Sequence, residues 1–180
     1  LFWGSGRAPD MPSFEQVYGL DAAMTSGVDL LRGLAKLVGM EILEIPGVTD
    51  SLDNDYAAQA AGALLALEQH ALVVVHIEAP DEAAHEGSID DKIEAIQMAD
   101  KEVVSRLCNW RPAGLRVLIL PDHPTPISVQ THTGDPVPFM LWGPGFTRNG
   151  AERFTEAEAT GTGFSIEEGY KIMGRLIGDF

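Results

Sequence analysis

The sequence has little cysteine, little positive charge and no long apolar run. Cys108 is the only cysteine among 180 residues, which excludes an intrachain disulfide and a cysteine-based zinc site. Lys and Arg number 12 against 27 Asp and Glu, and the formal net charge is −15. Because phosphate neutralisation needs clustered cations, this composition argues against nucleic-acid binding. The negative charge is otherwise typical of a solubilising surface.

Further absences concern the membrane and the start of the chain. No apolar run reaches the length of a membrane span, and no signal-peptide pattern opens the sequence. With one cysteine, this favours a cytoplasmic location. The chain begins with Leu1 rather than Met, which a processed product or a piece of a longer protein would explain. The 180 residues suffice for a single domain over 1–180 with a sizeable core.

Strand-like and helix-like segments alternate along the chain. The apolar, β-branched run at 71–77 is typical of a strand buried on both faces of a parallel sheet. Strands are predicted at 20–25, 41–45, 71–77, 115–120 and 138–142, and helices at 28–38, 55–70, 89–107 and 164–177. Residues 1–18 are predicted to be loop, and Ser165 with Glu168 to form a capping box. The alternation predicts an α/β fold, a mostly parallel sheet with helices on both faces.

Aspartate and histidine side chains gather near the ends of the predicted strands. Asp81 and His85 follow the strand at 71–77, and their spacing of four puts both on one face of a helical turn. Asp122 and His123 follow the strand at 115–120, and His132 precedes the next one. Because ligands bind beyond the carboxyl ends of parallel strands, all five can converge. Carboxylate and imidazole together suit zinc, manganese, iron or cobalt better than calcium or magnesium.

Each histidine and aspartate also has an ordinary structural explanation. An Asp four residues before a His is commonly a helix-start carboxylate beside a surface histidine, and Asp122 could form a turn. His76, inside the predicted strand, is expected to be a core histidine or a donor behind a metal ligand. His70 is expected at the surface beside the C-terminal dipole of a helix. Only the joint placement of the five residues at strand ends favours a metal site.

Three segments that carry these residues resemble a known enzyme family. They are VHIEAPDEAAH at 75–85, LPDHPTP at 120–126 and THTGDPVPF at 131–139. The stretches at 3–9 and 46–49, with Asp53, Asp55 and Tyr56, add to the likeness. Together they resemble the cofactor-independent phosphoglycerate mutases of the archaeal type, which belong to the alkaline phosphatase superfamily of metalloenzymes. The resemblance covers essentially the whole chain.

The resemblance implies a partial alkaline-phosphatase-like core with two divalent metal ions, manganese or zinc. Asp81, His85 and His132 correspond to ligands of one ion, and Asp122 and His123 to two ligands of the other. The implied glycolytic isomerase reaction moves a phosphoryl group between the 2- and 3-hydroxyls of glycerate through a phosphoserine enzyme. A phosphorylated small molecule is therefore the expected substrate. Two metals can lower the pKa of a serine and neutralise charge on the attacking and leaving oxygens.

The sequence also departs from the family pattern. The N-terminal strand with an aspartate ligand and the serine nucleophile have no counterpart, so no catalytic residue is identified. We infer the carboxyl-terminal part of a longer protein, and expect the chain alone to be inactive. Gln59 stands where many members have a lysine, and Gln97 where many have a glutamate. At both positions the substrate contacts that the family resemblance implies are therefore not expected in the same form.

Several alternatives stay open at this point. Ser26 is a candidate nucleophile, although a helix N-cap is the favoured explanation of its hydroxyl. Arg7 is expected to contact substrate phosphate. A phosphatase, phosphodiesterase or sulfatase of the same superfamily, or an inactive metal-binding fragment, would carry the same ligands. An unpaired sheet edge and exposed apolar surface would favour a homodimer.

Overall fold

The computed structural model describes residues 6–110 and 112–178. The chain divides into two compact units, one over residues 1–109 and one over residues 110–180. Compact units of this kind can belong to one domain, so the single domain expected over 1–180 stays a prediction. No helix in the described part of the chain combines the length and the hydropathy that a bilayer crossing requires.

A parallel three-stranded sheet lies in the first unit. Its strands, in the order β2-β1-β3, are β1 (Ala22–Thr25), β2 (Glu41–Ile42) and β3 (Leu72–Val75). The register pairs Met24 with Ile42 and Thr25 with Val75, so the carboxyl ends of the strands lie at one edge. The α/β class and the parallel sheet flanked by helices are confirmed. The prediction rested on the alternation of strand-like and helix-like segments, with the β-branched run that forms β3 indicating a parallel sheet.

Helices alternate with these strands. They are α1 (Phe14–Tyr18), α2 (Asp29–Leu37), α3 (Tyr56–Ala66), α4 (Ala79–His85), α5 (Ile89–Met98) and α6 (Ser105–Asn109), with a π-helical segment at Ala99–Val104. The helix predicted at 89–107 is present and extends to Asn109, but its hydrogen bonding changes to the π-helical pattern at Ala99–Val104. The loop predicted at 1–18 contains α1, which begins with a capping box of Ser13 and Gln16.

The core of the first unit is built largely from small side chains. Tyr56 of α3 packs in a buried cluster with Ala60, Ala79, Ala95 and Val103. Small residues let the helices approach the sheet and one another closely, and the single large aromatic ring fills the space that they leave. Ala79 begins α4, so this cluster anchors the helix that carries Asp81 and His85.

The second unit contains a short antiparallel pair of strands. These are β4 (Val117–Ile119) and β5 (Met140–Trp142), with Leu118 opposite Leu141. The strand predicted at 138–142 therefore exists but is antiparallel to its neighbour. Short apolar runs do not reveal strand direction, which explains the difference.

The helices of the second unit differ from the prediction. They are α7 (Glu156–Gly161), a 3-10 turn at Gly169–Lys171 and α8 (Ile172–Ile177). The helix predicted at 164–177 begins only at Ile172, so Ser165 and Glu168 form no capping box at its start. Glu168 instead pairs with Lys171 and Tyr170 around the 3-10 turn. Glycines at 169 and 174 lower the helix propensity of this segment.

Candidate metal centre

Helix α4 presents Asp81 and His85 on adjacent turns. It follows β3 at the carboxyl edge of the sheet, and Pro80 lies in its first turn, where a missing N–H costs nothing. Ala79, Ala83 and Ala84 are buried, so the opposite face holds the helix in place. Oδ2 of Asp81 lies 3.1 Å from Nε2 of His85. The two side chains are 18% and 35% exposed, so both remain accessible from solvent.

The Asp81–His85 spacing fits a shared divalent ion. Metal–nitrogen and metal–oxygen bonds of roughly 2.0–2.2 Å place neighbouring donor atoms roughly 3.0–3.4 Å apart, from octahedral to tetrahedral geometry. The observed 3.1 Å is within that range. One carboxylate and one imidazole are also the donor types that zinc and manganese accept. The residues of α4 therefore fit a metal ion by both distance and chemistry.

Asp122 and His123 lie in the turn after β4 in the second unit. The backbone N–H of His123 donates to Oδ1 of Asp122 at 3.0 Å, and Nε2 of His123 lies 3.4 Å from the other carboxylate oxygen. The hydroxyl of buried Thr125 lies 3.3 Å from Nδ1 of His123. That contact fixes the ring orientation and leaves Nε2 on the side of Asp122. The turn thus presents a carboxylate and an imidazole together.

His132 stacks on His123 within the same unit. Their ring centroids are 3.7 Å apart, with 30° between the planes. The N–H of Thr133 donates to the carbonyl of Pro124 at 3.0 Å and ties the two loops together. The structure therefore places the five predicted ligands in two groups, Asp81 and His85 in the first unit and Asp122, His123 and His132 in the second.

A buried polar network closes the carboxyl edge of the parallel sheet. Ser26 is 1% exposed, and its Oγ lies 3.0 Å from Nδ1 of His76 while accepting the N–H of Val28 at 3.0 Å. The favoured explanation of Ser26 as a helix N-cap is wrong in detail, because the N-cap of α2 is Val28 without a side-chain cap bond. Nε2 of His76 lies 3.3 Å from Oε2 of Glu78. His76 is therefore a polar link and not an apolar core residue.

Gln59 occupies the centre of this network. It is fully buried, and its Nε2 donates to the carbonyl of His76 at 2.9 Å and to Thr25 Oγ1 at 3.4 Å. Its Oε1 accepts from Nδ2 of Asn54 at 2.9 Å. The position stood out in the sequence only as a departure from the family pattern. Gln97, the other departure, is exposed on α5.

His70 lies away from the carboxyl edge. Its Nδ1 is 2.9 Å from Asp21 Oδ2 and its Nε2 is 3.2 Å from Glu41 Oε2. The side chain is 16% exposed and bridges the exposed carboxylates at the amino ends of β1 and β2, so it lies partly buried at the surface. The N–H of Ala71 and then His70 lower the pKa of Asp21 below its usual value.

Arg7 belongs to the opening motif at 3–9, which the structure describes from residue 6 onward. Arg7 is exposed in an irregular segment. The rest of the opening motif, from Trp3 to Ser5, lies outside the described residues.

Sequence comparison identifies the family. The family model described as the Metalloenzyme superfamily matches residues 1–169. The chain belongs to the metalloenzyme superfamily. This confirms the metalloenzyme part of the resemblance seen in the three motifs.

Two curated relatives of this metalloenzyme chain are both named as phosphoglycerate mutases. The 2,3-bisphosphoglycerate-independent phosphoglycerate mutase of Methanothrix thermoacetophila is 44% identical over 97% of this chain and 45% of its own length. That of Methanosarcina acetivorans is 40% identical over 97% of this chain and 45% of its own length. The chain therefore spans about 45% of the length of these relatives.

Solved structures agree with the fold of this metalloenzyme chain. A Pyrococcus horikoshii protein matches with a TM-score of 0.86 and 28% identity, over 97% of this chain and 54% of its own. The cofactor-independent phosphoglycerate mutase of Thermoplasma acidophilum matches with a TM-score of 0.69 and 20% identity, over 94% of this chain and 39% of its own. The second match shows the fold alone.

Proposed function

We propose that this chain supplies the metal-binding part of an enzyme that interconverts 2- and 3-phosphoglycerate by phosphoryl transfer through a phosphoserine. The observation that carries the proposal is the Asp81–His85 pair, whose donor atoms lie 3.1 Å apart on α4 at the carboxyl edge of a parallel sheet. The names of the relatives point to the same reaction. Since the chain spans less than half of those relatives, the activity is proposed for the whole protein.

The proposal assigns the donors to two divalent ions, manganese or zinc. From the resemblance of the motifs that carry them, Asp81, His85 and His132 are proposed as ligands of one ion, to which they would supply one carboxylate and two imidazoles. Asp122 and His123 are proposed as two ligands of the other, supported by their 3.4 Å contact. A divalent metal held by these residues would lower the pKa of a hydroxyl and neutralise charge on transferring phosphoryl oxygens.

Two further residues are proposed to have structural roles, Ser26 and Gln59, and Arg7 is proposed to bind substrate. Ser26 is 1% exposed and its hydroxyl is already hydrogen-bonded, which argues against a nucleophilic role. No catalytic nucleophile is assigned to this chain. Arg7 is exposed, and we propose that its guanidinium contacts substrate phosphate in a bidentate manner. Gln59 is neutral and buried, so its amide holds the network and adds no positive charge for phosphate.

We also propose a cytoplasmic, glycolytic setting and a homodimer. The argument for self-association comes from α2, which exposes Leu30, Leu34 and Leu37 at 70%, 44% and 38%. These residues recur at helical spacing and form one apolar stripe. Exposed apolar stripes of this kind commonly mark association surfaces. Analytical ultracentrifugation of Leu34→Glu against wild type tests this part.

An enolase-coupled assay tests the proposed reaction. The full-length protein that contains this chain, loaded with manganese or zinc, is given 3-phosphoglycerate, and phosphoenolpyruvate formed by added enolase is followed by absorbance. The proposal expects signal that depends on added metal and disappears in His85→Ala. Release of free phosphate without phosphoenolpyruvate would assign the protein to the hydrolases of the superfamily. Metal binding without either product would contradict the proposed reaction and favour an inactive metal-binding protein.

A further inference from the structure

A chain of hydrogen bonds crosses the carboxyl edge of the parallel sheet and ends at the start of α4. The backbone N–H of Val28 donates to Oγ of Ser26 at 3.0 Å, and the same Oγ lies 3.0 Å from Nδ1 of His76. Nε2 of His76 lies 3.3 Å from Oε2 of Glu78. We call Ser26, His76 and Glu78 the edge relay. It joins the end of β1 to the residue that precedes the ligand helix.

The hydrogen bonds of the edge relay all run in the same direction, from Ser26 through His76 to Glu78. Because Ser26 Oγ accepts the Val28 N–H, its own proton is available for Nδ1 of His76. A neutral imidazole that accepts at Nδ1 carries its proton on Nε2, which then donates to the carboxylate of Glu78. In this arrangement each donor of the relay faces an acceptor, and the hydrogen bond from Ser26 fixes the tautomer of His76.

Glu78 connects the relay to the proposed ligands. It is the N-cap residue of α4, and its side chain makes no cap bond with the helix. Its carbonyl accepts the N–H of Asp81 at 2.7 Å and of Glu82 at 3.3 Å. The carboxylate side chain is only 23% exposed and faces His76. The position of Glu78 therefore sets where the first turn of α4 begins, and with it the direction of Asp81.

The backbone of His76 is held as firmly as its ring. Its N–H donates to the carbonyl of Thr25 at 3.0 Å, one step beyond the β1–β3 ladder, and its carbonyl accepts from Gln59 at 2.9 Å. Thr25 and Gln59 are fully buried. A ring fixed on a rigid strand end can position a partner, whereas a ring on a mobile loop cannot.

We infer that Ser26, His76 and Glu78 are positioning residues that orient the Asp81–His85 pair for metal binding. The inference rests on the proposed function, because it assumes that this pair holds an ion. The alternative use of a serine, a histidine and a glutamate in line is nucleophilic catalysis. The 1% exposure of Ser26 contradicts that use, because no substrate atom can reach Oγ without opening the sheet edge.

Cobalt binding to the purified protein tests the inference. Cobalt(II) alone is titrated, and both affinity and the visible ligand-field spectrum are recorded for wild type, Glu78→Ala and Glu78→Gln. Loss of outer hydrogen-bond partners of metal ligands weakens binding by roughly 10–100-fold, and we expect that loss and an altered spectrum for Glu78→Ala. Glu78→Gln keeps an acceptor for His76 and is expected to restore most of both. The matched control is Glu82→Ala, which removes the same charge from an exposed position of α4.

The outcomes separate the inference from the proposed function. If wild type binds cobalt and Glu78→Ala binds it equally well with the same spectrum, the edge relay does not position the ligands. Equal losses in Glu78→Ala and Glu82→Ala would also overturn the inference, because charge alone would then explain them. If wild type binds no cobalt, the proposed metal site itself fails and the inference with it.

Two variants of His76 separate an effect on metal binding from an effect on folding. His76→Gln places an amide near the position of Nε2 and keeps a donor for Glu78, whereas His76→Ala removes it. Thermal unfolding of each protein without metal shows whether it folds. We expect His76→Gln, which keeps a donor to Glu78, to bind cobalt more tightly than His76→Ala. This difference in affinity should not parallel the melting temperatures of the two variants. Affinity that falls only in step with melting temperature would contradict it.

Discussion

Oδ2 of Asp81 lies 3.1 Å from Nε2 of His85 across one turn of α4. The spacing of four residues puts both side chains on one face, and the buried alanines of the helix keep that face turned outward from the core. The donor atoms are already separated as two ligands of one ion would be. Metal binding at this pair therefore needs little reorganisation of α4, which favours affinity.

Gln59 is expected to matter for stability. Gln59→Leu removes the donor to the part-buried carbonyl of His76 and the acceptor of the buried Asn54 amide. A buried group left unsatisfied costs about 1–3 kcal/mol, so a loss of at least roughly 2 kcal/mol is expected in urea unfolding. Gln97→Leu, at an exposed position, is the matched control and should stay within about 0.5 kcal/mol. Similar midpoints for both variants would contradict the buried network.

Gly27 is expected to tolerate no side chain. A Cβ at this position would collide with the backbone of Thr49 and Asp50, and backbone atoms cannot move aside cheaply. Overpacking costs about 1–3 kcal/mol, and more where the backbone must shift, so Gly27→Ala should lower the melting temperature clearly. Gly33→Ala, in α2 with open space around it, is the control and should be neutral or stabilising. A neutral Gly27→Ala would mean that the 46–50 loop does not pack on the β1–α2 turn.

Asp21 is expected to contribute to the loss of folding stability at acidic pH. Its pKa is lowered, chiefly by the N–H of Ala71 and then by His70. A carboxyl whose pKa is lower folded than unfolded adds stability above its unfolded value of about 3.9, and that stability disappears as the pH falls through the folded value. Asp21→Asn should therefore reduce stability at pH 6 and show a shallower decline from pH 5 to pH 2. Chemical unfolding across that range checks this, with Asp10→Asn as a control for the lost charge. Identical slopes for Asp21→Asn and wild type would contradict it.

Zinc is expected to stabilise the protein through Asp81. A ligand that binds only the folded state adds about 2.7 kcal/mol at a concentration 100 times its dissociation constant. The melting temperature of wild type should therefore rise with zinc, and Asp81→Asn should abolish most of the rise. Asp90→Asn, at an exposed position near the start of α5, serves as the control. An equal rise in all three proteins would show that zinc binds elsewhere.

Much of the first unit could be predicted because its signals are local. The β-branched run at 71–77 predicted β3, and the residues after it predicted that Asp81 and His85 share a helix face. Helix α1 was missed although Ser13 and Gln16 form a capping box, because the surrounding Gly and Pro favoured loop. The antiparallel direction of β5 could not be predicted, since strand direction depends on pairing and not on composition.

The polar contacts of the site were harder to predict than its ligands. Ligand candidates stood out by residue type and by their place after strands. The Ser26–His76 contact joins positions 50 residues apart, and no spacing rule predicts it. The same holds for His70, whose bridge between Asp21 and Glu41 depends on the order of the strands in the sheet. Such long-range contacts follow from topology, which the sequence specifies only through folding.

The most direct test is the metal content of the purified protein by plasma mass spectrometry. Wild type and His85→Ala are purified without chelator, soaked briefly in manganese or zinc, and freed of unbound ions by desalting. We expect at least about one equivalent of metal per chain in wild type, and a loss of bound metal in His85→Ala. Wild type without metal, or His85→Ala with as much metal as wild type, would contradict the proposed centre.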